Sequence, residues 1–163
     1  MPTAYVAIGS NLGNKEENLL RALELLKKHG VKIGKVSSFF ATKPYGVTDQ
    51  PDFLNGAIEL EYNASPEELL DLLLTVEQEM GRVRTRTWGE RIIDLDLLLF
   101  GQEVINTEKL VLPHVDMVNR EFVLAPLTEI APNVIPPNRK ETILELLTKL
   151  RKRGVEKLIV TQT

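Results

Sequence analysis

The sequence predicts an α+β fold, an antiparallel sheet with helices packed on one face. Three observations point to it. Short β-branched and aromatic runs alternate with two leucine-striped segments, in the order strand, helix, strand, strand, helix, strand up to Phe100. Both helical segments carry their own start and stop residues. The last run of the series, Ile92 to Phe100, is almost wholly apolar except for two aspartates.

Tyr5 to Ile8 makes a short first strand, and Gly9-Ser10-Asn11 a turn. A helix starts near Asn14, with Glu17 placed as a capping-box partner. Leu19, Leu23 and Leu26 give it an apolar stripe, and Gly30 closes it. His29 sits at its end as a cap that compensates the helix dipole. Val31 to Thr42 is rich in β-branched and aromatic residues and is expected as one strand. Lys43 to Asp52, with two prolines and a glycine, is an exposed loop, and Phe53 to Tyr62 the next strand. The second helix is bounded by Ser65 as N-cap, Pro66 at N1, Glu68 completing the box, and Gly81 at its end. A basic loop, Arg82 to Arg91, leads into the aspartate strand. Gly101-Gln102 turns the chain into a short strand, Glu103 to Ile105. Helices are expected over Val118 to Glu129 and Thr142 to Arg153, and a terminal strand over Leu158 to Thr161. Up to Phe100 this is the split βαβ order of ferredoxin-like folds, followed by a C-terminal extension.

A length of 163 residues suits a single domain with one substantial core. The net charge of −3 gives no basic excess of the kind nucleic-acid binding shows. The absence of cysteine excludes disulfides, thiolate metal sites and cysteine nucleophiles, and suits a reducing compartment. Met1 to Ser10 lacks a basic-then-apolar leader, and no apolar run reaches the length of a membrane span. A cytoplasmic protein, expected as a monomer, follows.

The chemistry concentrates between Arg82 and Asp96. Asp94 and Asp96 alternate along a strand and so point the same way, roughly 6.5 Å apart. Two ionised carboxylates on an apolar strand repel each other and lose hydration, and a divalent cation relieves both. Oxygen ligands completed by phosphate suit Mg²⁺. A strand face turned to water would carry the same pair, although Ile92, Leu98 and Phe100 are expected on this face too. Just before it, ten residues hold four arginines and the only tryptophan. Guanidinium groups clamp phosphate oxygens, and Trp88 offers a flat stacking surface. Next to the aspartates, this loop is better read as an anion-binding lid than as an ordinary solvated turn. Glu77 falls on the buried stripe of the second helix, where it either meets a partner in the basic loop or a ligand hydroxyl, or reaches water as a boundary carboxylate. A lone histidine such as His114 is usually a hydrogen-bonded structural residue, but the nearby Arg120 also suits a phosphate pocket. Asn55 and Phe53 share a strand face. The sequence contains no Gly-x-x-x-x-Gly-Lys-Ser/Thr phosphate loop, no Gly-x-Gly-x-x-Gly turn and no Gly-x-Ser-x-Gly elbow.

Taken together, Ala7-Ile8-Gly9-Ser10-Asn11-Leu12-Gly13, Asp49-Gln50-Pro51-Asp52-Phe53-Leu54-Asn55, Gly81-Arg82-Val83-Arg84, Trp88-Gly89-Glu90-Arg91-Ile92-Ile93-Asp94-Leu95-Asp96, Val111-Leu112-Pro113-His114 and Asn119-Arg120-Glu121-Phe122 resemble the 6-hydroxymethyl-7,8-dihydropterin pyrophosphokinases of folate biosynthesis. The resemblance runs from Ala4 to about Pro132. It implies transfer of diphosphate from ATP to the hydroxymethyl oxygen of a reduced pterin, with AMP released. Asp94 and Asp96 would hold two Mg²⁺, and Arg82 and Arg91 would engage phosphates during transfer. Arg84 and Trp88 would sit on a lid over ATP. Glu77, Leu97, Lys109, Leu110, His114 and Arg120 match nucleotide-side positions. Thr42, Pro44, Tyr45, Phe53, Asn55 and Phe122 match the pterin pocket. Phe53 stands where a tyrosine is common, and Val115 where an aromatic often sits. A two-metal hydrolase or nucleotidyltransferase, and a non-catalytic ligand-binding module, are the competing readings.

Overall fold

In the computed structural model, which describes residues 2–42, 52–81 and 92–153 and the backbone of 160–162, Thr3–Ser10 forms the central strand β1. It runs antiparallel to β4 (Phe53–Glu61) on one side and to β5 (Asp94–Phe100) on the other. The far side of β4 is shared by β2 (Lys32–Val36) and β3 (Phe40–Thr42), both antiparallel to it. A terminal strand, β8 (Val160–Gln162), adds to β3, giving a sheet of order β5-β1-β4-β3-β8. A two-stranded ribbon, β6 (Ile105–Asn106) with β7 (Val111–Leu112), stands apart from it.

Helix α1 (Lys15–Lys28) starts where Asn14 accepts a hydrogen bond from the Glu17 amide, and Gly30 follows it in the left-handed region at φ 93°. Helix α2 (Pro66–Glu79) has the reciprocal capping box: Ser65 accepts from the Glu68 amide while the Glu68 carboxylate accepts from the Ser65 amide. His29 meets Glu79 at 2.6 Å, tying the two helix ends together. The 118–129 region divides into a 3₁₀ turn (Met117–Asn119) and helix α3 (Glu121–Ile130), and α4 covers Ile143–Arg153. Thr142 and Glu145 cap α4 reciprocally. Among the described residues, no helix is long and apolar enough to cross a membrane.

Helices cover both faces of the sheet, not one. Ala4, Val6 and Ile8 of β1 pack with Leu19, Leu26, Leu69, Leu73 and Val76 of α1 and α2. On the opposite face Tyr5, Ala57, Leu98 and Leu99 pack with Leu124, Leu127, Leu146 and Leu147 of α3 and α4. Val31 to Thr42 is two strands rather than one. At Ser37 the side-chain hydroxyl accepts the Ala57 amide at 2.8 Å while the Ser38 amide turns away to Glu129, which breaks the ladder. The first strand runs through Gly9 to Ser10, where a turn was expected, and the strand expected at Glu103 to Ile105 begins only at Ile105.

Strand β5 contains a slip. Val6 pairs with Leu97 and Tyr5 with Leu99, so Leu98 is an extra residue, a β-bulge. Leu95 and Leu97 enter the α1–α2 core, Leu98 and Leu99 the α3–α4 core, and Phe100 returns to the first. The expectation that Ile92, Leu98 and Phe100 share the aspartates' face is therefore corrected. Ile92 and Phe100 pack on the other side, and only Leu98 stays.

Candidate active site

The sheet register assembles the site. Asp94 pairs with Gly9, Gly9 with Asn55, and Asn55 with Phe40, which makes one row across four strands. The neighbouring row is Asp96, Ala7 and Ala57. Cross-strand partners share a face, here the one that α3 and α4 cover. Asp94 is half-buried and Asp96 exposed, so this end of the face opens to solvent. At strand spacing, two steps across the sheet separate Asp94 from Asn55 by about 10 Å.

Asn55 is 9% exposed, and its Nδ2 donates to the Thr42 hydroxyl at 2.6 Å; Thr42 is 2% exposed. Phe53 lies two residues before Asn55 on the same face, partly exposed, and pairs with Thr42. Phe122, on the first turn of α3, is partly buried and packs against the second core, as do Phe40 and Ala7. The Arg120 guanidinium stands 5.7 Å from the Phe122 ring centre and reaches Asp116 Oδ2 at 3.4 Å. His114 is held by its backbone: its amide donates to the carbonyl of the bulge residue Leu98 at 3.0 Å. Its Nδ1 accepts from the Asp116 amide at 3.3 Å.

A second group gathers where α2 meets the outer edge of β5. Glu77 is 5% exposed, and its Oε2 accepts the Leu95 amide, between the two aspartates, at 2.8 Å. Lys109 forms an ion pair with Asp71 of α2 at 2.9 Å. The side chains of Leu97 and Leu110 are buried in the α1–α2 core. Pro44, Tyr45, Arg82, Arg84, Trp88 and Arg91 lie outside the described residues.

The donor set suits a hard cation. Asp94 and Asp96 offer carboxylate oxygens, and among the described residues no cluster of three or more histidine, cysteine, aspartate or glutamate side chains is arranged to hold a metal. Such a site needs other oxygens to fill its shell, which fits Mg²⁺ carried with phosphates and water. Sequence reasoning missed Gly9 as a site residue because it was assigned to a turn. A glycine inside a strand, opposite a polar residue, is the signal that would have found it.

Residues 5–132 match the family described as 7,8-dihydro-6-hydroxymethylpterin-pyrophosphokinase. The chain is 46% identical over 159 residues to the Haemophilus influenzae 2-amino-4-hydroxy-6-hydroxymethyldihydropteridine pyrophosphokinase, covering 97% of this chain and 99% of that one. It is 49% identical over 132 residues to the Bacillus subtilis protein of the same name, covering 80% and 79%. Among solved structures it is similar to Plasmodium falciparum HPPK-DHPS with pteroate, with a TM-score of 0.77 at 17% identity. That match covers 93% of this chain and 43% of the longer one, and shows a shared fold.

Proposed function

The chain belongs to the 7,8-dihydro-6-hydroxymethylpterin-pyrophosphokinase family, and from that premise we propose that it moves the terminal diphosphate of ATP to the hydroxymethyl oxygen of the reduced pterin, releasing AMP, with two Mg²⁺ at Asp94 and Asp96. It is a pyrophosphokinase of folate biosynthesis. The observation that carries the finer reading is the row Asp94–Gly9–Asn55, which sets a carboxylate and a buried amide on one open face, with the second aspartate in the adjoining row. The strand order supports a ferredoxin-like βαββαβ core with a C-terminal extension, acting as one catalytic domain.

On this reading Asn55 and Thr42 hold the polar edge of the pterin, and Phe122 and Phe53 flank its ring, with Pro44 and Tyr45 completing the pocket. Glu77, Leu97, Lys109 and Leu110 line the nucleotide side. Leu97 and Leu110 bury their side chains, so they would meet a ligand through their backbone. His114 and Arg120 present an imidazole and a guanidinium to the phosphates. Arg82 and Arg91 neutralise charge as transfer proceeds, while Arg84 and Trp88 close over the nucleotide. When bound, Mg²⁺ screens the phosphate charge and acidifies the attacking hydroxyl. The pterin oxygen bonds to the β-phosphorus as its proton passes to solvent, and the bond from that phosphorus to the oxygen shared with the α-phosphate breaks, the oxygen leaving with AMP. No protein nucleophile is required, and the residues' work is positioning and charge compensation.

The test is an incubation of the purified chain with ATP, MgCl₂ and the reduced pterin, with nucleotides separated by chromatography. Pterin-dependent AMP is expected. ADP as the product, or AMP formed equally without pterin, contradicts the proposal.

A further inference from the structure

We infer that Gly9 is a positioning residue for the pterin: its lack of a side chain is what lets the Asn55 amide lie where it recognises that ring. The inference rests on the reading of Asn55 as the contact for the pterin's polar edge. Gly9 lies inside β1, and it is not among the glycines with positive φ. Its backbone thus makes no demand that alanine fails to meet. Space does. A Cβ added to Gly9 would lie 2.7 Å from Asn55 Oδ1, and its next contacts, Asn55 Cγ and the Leu54 carbonyl, are at 3.7 Å. The amide oxygen therefore occupies the volume that any larger residue would claim.

What must yield on substitution is also fixed. The nearest backbone is at ordinary contact distance, so the strand need not move. The obstacle is the end of a side chain that is itself tied down, because Asn55 Nδ2 donates to Thr42 Oγ1 at 2.6 Å. A methyl at Gly9 displaces the amide and breaks or distorts that bond. An asparagine amide has distinct donor and acceptor ends, so rotating it changes what it offers a ligand. Gly9 also stands directly between Asn55 and Asp94 in the row, yet a displaced amide moves on the Asn55 side. The effect is expected on the pterin and not on the nucleotide.

The experiment is a double-mutant cycle on the full chain: wild type, Gly9→Ala, Asn55→Ala, and the two combined. KM for the reduced pterin and KM for ATP are measured separately, with far-UV circular dichroism for each protein. Gly9→Ala is expected to raise the pterin KM by about tenfold, the scale of one lost hydrogen bond, and to leave the ATP KM unchanged. In the Asn55→Ala background the same methyl meets no oxygen, and its further effect is expected to stay within about twofold. An unchanged pterin KM in Gly9→Ala, an equal rise in both backgrounds, or an equal rise for ATP overturns the inference. If Gly9→Ala does not fold, recovery of folding in the double variant supports it and failure of both overturns it. A wild-type chain without pterin-dependent turnover overturns the parent reading as well, whereas an active wild type with an insensitive Gly9→Ala overturns this inference alone.

Discussion

Asp96 is exposed on its strand, so replacing it does not open the core. Asp96→Ala is expected to lower kcat by about a hundredfold or more, since partners one shell beyond a metal ligand already cost about 10- to 100-fold. Thermal unfolding should be unchanged, and near-normal turnover would sink the metal assignment. Tyr5 makes a different kind of statement. Its hydroxyl donates to Glu59 at 3.2 Å, and burial, then the Glu59 charge and that hydrogen bond, push its pKa from 10.0 up to about 12. The folded state thus holds this proton more tightly than the unfolded chain. The stabilisation is whole below pH 10 and is lost as pH rises through about 12. Tyr5→Phe should flatten that part of the curve of melting temperature against pH. A variant whose stability declines as steeply as the parent's contradicts this. At this scale the aspartate pair and the Asn55–Phe53 pair were legible, because alternation along one strand is a local rule. The Thr42–Asn55 hydrogen bond and the crowding at Gly9 were not, since each depends on which strands lie side by side.

Helix α2 links two functions, because its N-terminus is set by a cap and its C-terminal half presents Glu77 to β5. Ser65→Ala removes the cap and should cost about 1 kcal/mol in urea unfolding, with kcat unchanged because the cap lies at the helix end away from Glu77. Glu77→Ala leaves the Leu95 amide without its acceptor and should cost roughly 1–3 kcal/mol. Glu77→Gln keeps an acceptor oxygen and should recover much of that loss. Equal destabilisation by both variants would show that the charge, and not the hydrogen bond to Leu95, is what matters. The caps of α1 and α2 could be read residue by residue because they are fixed within four positions of sequence. The break between β2 and β3 could not, because it is made by Ala57 and Glu129, far along the chain. Nor could the bulge at Leu98, since one extra leucine in a run of leucines leaves no compositional mark.

The two cores share one sheet, so the molecule has little means of losing one and keeping the other. Leu73 of the first core and Leu147 of the second are both buried. Leu73→Ala and Leu147→Ala should each lower the same single unfolding transition, by about 2–5 kcal/mol, when followed by circular dichroism. Two separate transitions would refute that coupling. Helices could be expected over Val118 to Glu129 and Thr142 to Arg153 from sequence, but such a reading does not say which face of a sheet they cover. That is why helices were expected on one side only. On the outer edge of β5, Glu77 takes up one backbone donor, the Leu95 amide. Light scattering is expected to return a mass near 18.4 kDa, and a dimer mass would contradict the monomer reading. The slip at Leu98 carries a last implication for how such a chain tolerates change. It resets the phase of β5, so that even-numbered residues face the α3–α4 core up to Leu98 and odd-numbered ones after it. An insertion or deletion downstream of the slip leaves both carboxylates in frame, whereas the same edit upstream trades one of them for a leucine. The carboxylate-bearing end of the strand and its wholly buried far end are thereby free to drift independently.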